Sequence, residues 1–389
     1  MLYVARSSIN PKISVIVSVW NNEDYIDVSM KSILGQTLQE IEVVCVYRQS
    51  DDRTTGILKE YAKNDSRIVL VEQKDTKGCG PAKNLGIRSA KGDFVAFLDA
   101  DDYFASASCL ELLYTAAIIN RVKICGGLRT LLQLDGKVYE HGINRKILSG
   151  HPDGLLLSYR DFQNDYHFHN YIYERRMLLD NGCFFGTWLV YDDISFHIRA
   201  MSAAEKFYII PVEMYCYRIH GAYVWNDVQT LESIKGFSDV LQFSDEHDLA
   251  LLHWKTFQRM CFGEYHDNFV RHLQAGNTEV YRSLMVANCL VNAGKIRRIQ
   301  ESLDSYAVQL EGADLPSLDV VPALENGEYV FPSLWHAVEN LNQEKLRLEN
   351  RCGKLEKKYE AAVNSKTYRL GSAMLYVPKQ IMRLLGRRR

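Results

Sequence analysis

Long apolar segments are missing from this 389-residue sequence, which has no run of eighteen apolar residues and no apolar stretch of signal-peptide type at its start. We therefore expect a protein without a membrane-spanning helix that is made and kept in the cytoplasm. The nine cysteines show neither CxxC pairs nor metal-ligand spacing, so most are expected to be buried free thiols. No stacking platform or recognised nucleic-acid fold is present, so no nucleic-acid partner is expected. Proline is absent between residues 212 and 315, which permits long helices there.

Short apolar runs alternate with amphipathic segments in the first hundred residues. The predicted strands are 13–19, 41–46, 68–71 and 94–98, and the predicted helices between them are 25–34, 54–64 and 82–90. The runs are rich in β-branched residues, as buried strands are, whereas the helical segments place apolar side chains three and four residues apart. This alternation predicts an α/β domain with a mostly parallel sheet that is covered on both faces.

Two acidic clusters stand out against this pattern. Asp99 and Asp101, in Asp99-Ala-Asp-Asp102, follow the run 94–98, and open α/β sheets place ligands where strands end. Paired carboxylates suit Mg²⁺ or Mn²⁺ carrying a diphosphate, because such a cation leaves its other positions to phosphate and water. The pair Asp192-Asp193 lies among apolar side chains, and burial beside a like charge raises a carboxyl pKa toward the range of a general base. The alternatives are an acidic turn and a helix N-cap.

Five segments, in order, resemble the family 2 glycosyltransferases of GT-A fold over about residues 11–225. They are Ser14-Val-Ile-Val-Ser-Val-Trp-Asn21, Ser32-Ile-Leu-Gly-Gln-Thr37, Gly78-Cys-Gly-Pro-Ala-Lys-Asn-Leu-Gly-Ile87, Ala90-Lys-Gly-Asp-Phe-Val-Ala-Phe-Leu-Asp-Ala-Asp-Asp102 and Tyr191-Asp-Asp-Ile-Ser-Phe196. The resemblance implies a nucleotide-sugar donor, expected to be a UDP-sugar, a divalent cation (Mn²⁺ or Mg²⁺) and inversion at the anomeric carbon in one displacement. It also implies a role in bacterial-type surface glycan synthesis, with a glycan or lipid-linked acceptor.

The same resemblance assigns residues to roles. Asp193 is expected to be the general base, with Asp192 supporting it. The metal ligands are expected among Asp101, Asp99 and His220. The donor-binding residues are expected to be Val19, Asn21, Tyr47, Arg48, Gly78, Lys83, Asn84, Asp99, Ala100 and Asp101. On the acceptor side, Asn170 and Tyr173 match positions that line the site in the family.

One segment departs from the family pattern. After the second strand, where members usually carry two acidic residues, this chain has Tyr47-Arg48-Gln49-Ser50. Tyr47 is able to stack on a nucleobase and Arg48 to donate to a base carbonyl or a phosphate. The departure leaves three interpretations open: a glycosyltransferase with altered base recognition, a scaffold of the same fold that has lost donor binding, and a nucleotidyltransferase. The last would need a Gly-rich basic loop directly after the first strand, and Val19-Trp-Asn-Asn22 is not such a loop.

Four regions are predicted: a GT-A catalytic domain (1–225), a helical module (226–330), a coiled-coil-like helix (331–363) and a basic amphipathic tail (364–389). The coiled-coil positions are Leu334, Val338, Leu341, Lys345, Leu348, Cys352, Leu355 and Tyr359. They favour either a homodimer or a single helix packed on the body. The tail holds seven Lys or Arg and no acid, whereas the rest of the chain holds 39 basic and 48 acidic residues. We therefore expect the tail to bind an anionic membrane surface on the inner face of the cell membrane.

Overall fold

The computed structural model describes residues 10–74, 78–220, 225–263, 265–302, 347–358 and 361. The strands are β1 (Ile13–Val19), β2 (Ile41–Tyr47), β3 (Ile68–Glu72), β4 (Phe94–Asp99), β5 (Tyr103–Phe104), β6 (Ile124–Leu132), β7 (Val138–His141), β8 (Leu155–Ser158), β9 (Tyr171–Glu174) and β10 (Lys206–Arg218). The helices are α1 (Ile26–Leu34), α2 (Thr54–Asn64), α3 (Cys79–Ser89), α4 (Cys109–Asn120), α5 (Ile143–Ile147), α6 (Tyr159–Phe162), α7 (Arg175–Asp180), α8 (Asp192–Ala204), α9 (Asp227–Glu246), α10 (Ala250–Cys261), α11 (His266–Gln274), α12 (Thr278–Asn288) and α13 (Ala293–Gln300).

A ten-stranded sheet runs through the α/β part of the chain in the order β3-β2-β1-β4-β9-β6-β10-β5, with β7 paired to β6 and β8 to β10. Strands β3, β2, β1 and β4 run parallel, which confirms the arrangement predicted for them. Strand β9 lies antiparallel between β4 and β6. Because parallel strands end at one edge, β1, β2 and β4 bring Val19, Tyr47 and Asp99 to the same side of the sheet.

Both faces of the parallel strands are buried. On one face, Val15 of β1 packs in the same core as Met30 of α1 and Leu113 of α4. On the other face, α3 approaches β1 so closely that a Cβ atom at Gly86 would lie 2.4 Å from Cγ2 of Ile16. Only glycine permits this approach, which fixes the start of α3 near the end of β1.

The predicted helical region after residue 225 is confirmed, with α9 packed against α8, α10 and α12. Its centre is α10, in which Trp254 and Phe257 are fully buried. Helix α9 begins with a capping box, in which Asn226 accepts from the backbone N–H of Gln229 and the Gln229 side chain accepts from that of Asn226.

The chain divides into two compact units, Met1–His272 with Asn277–Val330, and Leu273–Gly276 with Phe331–Arg389. In the second unit, residues 347–358 form a helix on which Leu348, Cys352 and Leu355 are exposed. The rest of the predicted coiled coil, apart from residue 361, and the whole tail 364–389 lie outside the described residues. Among the helices that the structure describes, none is both long and apolar enough to span a bilayer.

Candidate active site

A pocket of about 530 Å³ opens where β1, β2 and β4 end. Six of the predicted donor residues line it: Val19, Arg48, Gly78, Asp99, Ala100 and Asp101. The other lining residues are Ser18, Trp20, Asn22, Val46, Gln73, Cys79, Ala82, Leu189 and Gln229. The carboxylates therefore share a cavity with aromatic, cationic and small side chains, as expected of a site for a nucleotide.

Trp20, which the sequence analysis did not single out, supplies the aromatic surface of this pocket. Its side chain is 49% exposed, and the Arg48 guanidinium lies 4.1 Å from the centroid of its ring. Tyr47 instead packs against the apolar core below the sheet edge. The signal in the sequence was a tryptophan directly after a run predicted to be a buried strand.

Asn84 and Gly80 hold α3 against the segment that leads into α8. The Asn84 amide donates to the carbonyl of Phe185 (2.9 Å) and accepts from the Phe185 backbone N–H (2.8 Å). A Cβ atom at Gly80 would lie 2.4 Å from the Gly186 carbonyl oxygen and 2.6 Å from Oδ2 of Asp192. This close approach brings Asp192 next to the first turn of α3. Through its two hydrogen bonds to Phe185, Asn84 holds this arrangement in place.

Asn21 connects two loops at the same sheet edge. Its side-chain oxygen accepts from the backbone N–H of Asp51 (3.0 Å), and its own N–H donates to Ser50 (3.2 Å). The loops after β1 and β2 are thereby joined beside the donor pocket. A direct contact of Asn21 with a donor stays a prediction.

Asp99 is paired with Lys83 and with His169 at the base of the pocket. Its Oδ1 lies 2.8 Å from Nζ of Lys83, and its Oδ2 lies 2.8 Å from Nε2 of His169. Burial alone would raise the pKa of Asp99, but the charges of Lys83 and His169 outweigh burial and lower it. Burial would likewise lower the pKa of Lys83, yet Asp99 raises it. The carboxylate and the ammonium therefore both stay charged.

Asp101 is paired differently, with His220. Its Oδ2 lies 2.9 Å from Nε2 of His220, and its backbone carbonyl accepts from Nε of Arg218 (2.9 Å). A cation that carries a diphosphate needs only one or two protein ligands, so Asp101 and His220 fit such an ion, whereas both Asp99 oxygens already have partners. Within the described ranges, no three His, Cys, Asp or Glu side chains cluster as a metal site.

Asp102, the third acid of the cluster, is buried and structural. It accepts from the Tyr215 hydroxyl (2.6 Å) and from the Arg218 backbone N–H (2.6 Å). Burial and the nearby charge of Asp99 raise its pKa to about 8. Asp102 therefore fixes β10 against the loop that carries Asp101.

Asp192 and Asp193 are the first two residues of α8, directly after the N-cap residue Tyr191. Burial and the charge of Asp193 raise the pKa of Asp192 to about 7. Burial also raises the pKa of Asp193, although His169 and Lys83 oppose that rise. Adjacent buried carboxyl groups of this kind accept a proton more readily than isolated carboxylates do, as a general base must.

A second pocket of about 530 Å³ contains Asp193. The remaining lining residues are Arg129, Leu131, His141, Tyr166, His167, His169, Tyr217, Ile219 and Tyr265. His169 lies in this wall, and its partner Asp99 lies in the wall of the first pocket. The Asp99–His169 pair therefore separates the two cavities and is called the partition here. His169 was missed in the sequence because its partner lies seventy residues away.

The predicted acceptor residues Asn170 and Tyr173 lie behind this second pocket. Both are buried, and the Tyr173 hydroxyl donates to the carbonyl of Phe168 (2.9 Å) and lies 3.0 Å from Nδ1 of His197. The structure places Tyr166, His167 and His169 at the pocket surface in their stead. An acceptor role for Asn170 and Tyr173 stays a prediction, and their buried contacts suit support of the pocket wall.

The helical region completes both cavities. Gln229 of α9 lines the first pocket and Tyr265 lines the second. Arg259 of α10 forms a largely buried ion pair with Asp165, with Nη2 2.9 Å from Oδ1. The same guanidinium donates to the Tyr191 hydroxyl (3.2 Å) and lies 3.9 Å from the centroid of the Tyr166 ring. Arg259 thus connects α10 both to the residue before Asp192 and to the second pocket.

We expect Arg259→Ala to lower the free energy of unfolding by about 3–5 kcal/mol, because it leaves the buried Asp165 carboxylate unpaired. Arg298→Ala removes an exposed arginine from an ion pair with Asp248 (3.2 Å) and is the control, with an expected loss below about 1 kcal/mol. Urea unfolding followed by tryptophan fluorescence measures both. Equal losses of unfolding free energy in the two variants would show that the buried Arg259–Asp165 pair adds no more stability than the exposed pair.

The fold and the two cavities define the class of this domain: a GT-A domain with acidic residues at the carboxyl edge of its sheet. Residues 14–183 match the glycosyl transferase family 2, and this part of the chain is a family 2 glycosyltransferase domain. The Staphylococcus aureus TarS 1-349 structure in complex with UDP-GlcNAc has the same fold, with a TM-score of 0.60, 18% identity, and coverage of 82% of this chain and 93% of that one.

Two proteins of known name are similar to part of the chain. The uncharacterized glycosyltransferase EpsJ of Bacillus subtilis is 29% identical over 212 residues, which are 54% of this chain and 61% of EpsJ. The UDP-Glc:alpha-D-GlcNAc-diphosphoundecaprenol beta-1,3-glucosyltransferase WfaP of Escherichia coli is 35% identical over 94 residues, or 24% of this chain and 37% of WfaP. The chain therefore matches less than two thirds of the length of either protein.

Proposed function

We propose that this protein is an inverting glycosyltransferase that moves a sugar from a nucleoside diphosphate to a hydroxyl group of a glycan or lipid-linked acceptor. The observation that carries the proposal is the Asp99–His169 partition, with Asp101 on one side and Asp193 on the other. A donor and an acceptor bound in the two cavities would meet at this partition. The similarity to WfaP, whose name specifies a UDP-Glc donor and a diphosphoundecaprenol-linked acceptor, supports a reaction of this class.

Asp193 is the proposed general base. As the acceptor oxygen attacks the anomeric carbon, its proton moves to the Asp193 carboxylate, and the bond from the anomeric carbon to the phosphate oxygen breaks. The electron pair of that bond leaves on the nucleoside diphosphate. Attack from the side opposite the leaving group inverts the configuration at the anomeric carbon.

Asp101 and His220 are the proposed ligands of Mn²⁺ or Mg²⁺. When bound, such an ion neutralises the negative charge that develops on the departing diphosphate. Lys83 and Asp99 form a fixed ion pair below this position, and their charges do not change during the transfer. Asp99 therefore positions His169 and Lys83.

Trp20 and Arg48 are the proposed sites of base recognition. An exposed indole offers a stacking face to a nucleobase, and the guanidinium beside it has N–H groups for a base carbonyl. Uracil presents two such carbonyls, so a UDP-sugar is the proposed donor. This pair would replace the acidic residues that the family pattern has after β2.

The tail 364–389 and the predicted coiled coil add two proposals that concern residues largely outside the described ranges. The cations of the tail suit an anionic bilayer, which would hold the enzyme on the inner face of the membrane beside a lipid-linked acceptor. The coiled-coil positions suit a homodimer. Vesicle co-sedimentation of the chain with and without residues 364–389 tests the first, and light scattering tests the second.

Cys79 provides a direct test of donor binding because it lines the first pocket. Three cysteines are exposed (Cys79, Cys289 and Cys352) and the other six are buried, so Cys289→Ser with Cys352→Ser leaves one accessible thiol. We expect UDP with Mn²⁺, at ten times its Kd, to slow maleimide labelling of Cys79 by on the order of tenfold. A variant that keeps Cys289 alone is the control and should label at an unchanged rate.

A panel of UDP, GDP, CDP and dTDP in this assay separates the interpretations. Protection by one diphosphate, with slow hydrolysis of the matching nucleotide sugar, supports a glycosyltransferase. Release of pyrophosphate from a nucleoside triphosphate and a sugar phosphate would identify a nucleotidyltransferase instead. Absence of protection by all four would favour a scaffold that has lost its donor.

A further inference from the structure

One wall of the second pocket is built from nitrogen-bearing side chains. Arg129 of β6 and His141 of β7 lie directly opposite each other in the antiparallel pair of these strands. The ring of His167 lies 5.7 Å from that of His141, measured between centroids. Because residues opposite each other across an antiparallel pair are close neighbours, the three side chains form one group, called the basic wall here.

The basic wall has hydrogen-bonding capacity that nothing in the described part of the chain uses. Nε of Arg129 and Nδ1 of His167 are both buried without a hydrogen-bond partner among the described residues. The Arg129 guanidinium lies 4.5 Å from the centroid of the Tyr217 ring, and it forms no ion pair within the described ranges. Buried polar groups normally find partners, so these atoms point to a bound group.

Asp193 lines the same pocket, but no ion pair joins it to the basic wall within the described residues. The largest charges that act on the pKa of Asp193 are those of His169 and Lys83. Burial and the Arg129 charge lower the pKa of His141 and that of His167, so both rings are neutral near pH 7. One fixed positive charge with two neutral imidazoles beside it then faces the cavity.

The backbone of His167 also departs from ordinary geometry. Its φ of 69° and ψ of 44° lie in the left-handed region, which non-glycine residues seldom adopt. Such conformations collect at ligand-binding sites, where the surroundings hold them in place. The turn presents His167 to the pocket, directly before the 3₁₀ helix Phe168–Asn170 that carries His169.

We propose that the basic wall binds a phosphate group of the acceptor, so that the hydroxyl to be glycosylated lies beside Asp193. A guanidinium binds phosphate through two parallel N–H bonds. A guanidinium with two imidazole rings beside it offers more donors than the two oxygens of a carboxylate can use, whereas a phosphate has further oxygens to accept them. The proposal rests on the proposed function, because it names the class of acceptor.

The experiment uses the full chain, saturated with UDP and Mn²⁺ so that phosphate probes do not enter the donor pocket. Calorimetry measures binding of glycerophosphoglycerol, a soluble phosphodiester, and of octyl diphosphate, with octyl glucoside as the uncharged probe. Arg129→Gln should weaken the phosphate probes by about 10- to 100-fold, because it removes a charged donor. Arg176→Gln removes an arginine that is 87% exposed and should change nothing.

Each outcome decides the proposal. Preferential binding of glycerophosphoglycerol indicates a phosphodiester-linked acceptor, and preferential binding of octyl diphosphate indicates a lipid diphosphate. Equal affinities of the wild type and Arg129→Gln for the phosphate probes would overturn the proposal. Tighter binding of octyl glucoside than of the phosphate probes would also overturn it. UDP binding must persist in Arg129→Gln. A wild type that binds no nucleoside diphosphate would refute the proposed function, while the phosphate titration without UDP would still test the basic wall.

Discussion

Asp193→Asn should lower turnover by on the order of 10² to 10⁴ while donor binding stays unchanged. The substitution keeps the size of the side chain and removes the group that accepts the acceptor proton. The proposed donor site is the other cavity, where Asp101 and Arg48 lie. Single-turnover transfer and nucleotide affinity, measured side by side, separate the two effects. Near-normal turnover would assign the base to another residue.

Asp192→Asn is the matched control, since it keeps the proposed base and removes its like-charged neighbour. Burial raises the pKa of both carboxyl groups, and the charge of Asp193 adds to the rise of Asp192, to about 7, so kcat/KM should rise with pH as the pair loses its last proton. Without the charge of Asp192, the pKa of Asp193 should fall. The acidic limb of the pH profile should then move to lower pH, and an unmoved limb would show that the two groups do not interact.

The same pair predicts a sign for stability. A carboxyl group with a folded-state pKa above its unfolded value favours the folded state while it is protonated. The contribution of Asp192 is therefore fully present below the unfolded pKa and is lost as pH rises through about 7.

Asp101→Ala should abolish the dependence of UDP affinity on Mn²⁺. The carboxylate is one of the two side chains that fit the ion, and without it the diphosphate loses its bridge to the protein. The ratio of the UDP Kd without and with Mn²⁺ should fall to about one. Calorimetry gives this ratio without any need for the acceptor.

Asp180→Ala, at the exposed end of α7, is the matched carboxylate control and should keep the Mn²⁺ dependence of the wild type. His220→Ala should weaken that dependence, since His220 is the second side chain that fits the ion. If Asp101→Ala kept the full dependence of UDP affinity on Mn²⁺, Asp101 would not be a ligand of the ion.

The strands that form the donor edge were predictable because they are buried on both faces. Runs such as 13–19 and 94–98 then consist almost wholly of apolar residues, with few polar residues to obscure the pattern. Asp99 and Asp101 were predictable as site residues because the residues that follow a parallel strand lie at the carboxyl edge of the sheet, where ligands bind. The apolar spacing after Asp192 and Asp193 separately indicated that this pair lies at the start of a helix.

The partition and the second pocket were not predictable in this way. They depend on β9, a four-residue antiparallel strand between β4 and β6, which brings His169 to Asp99 across seventy residues of sequence. Arg129 and His141 meet only through the register of β6 with β7. Gln229 reaches the first cavity on α9, which packs against α8, and Tyr265 reaches the second from the segment before α11. Helical periodicity does not reveal which helix a buried face will contact.

Arg259 makes the second pocket, which is the proposed acceptor cavity, and the stability of the helical region thermodynamically interdependent. It forms an ion pair with Asp165 while it contacts Tyr166, a wall residue of that cavity, and Tyr191, the residue before the Asp192-Asp193 pair. A molecule that binds only the folded cavity stabilises the protein by about 2.7 kcal/mol at one hundred times its Kd. The melting temperature of the helices therefore reports occupancy of the acceptor cavity, and thermal stability alone can rank candidate acceptors before any sugar is transferred.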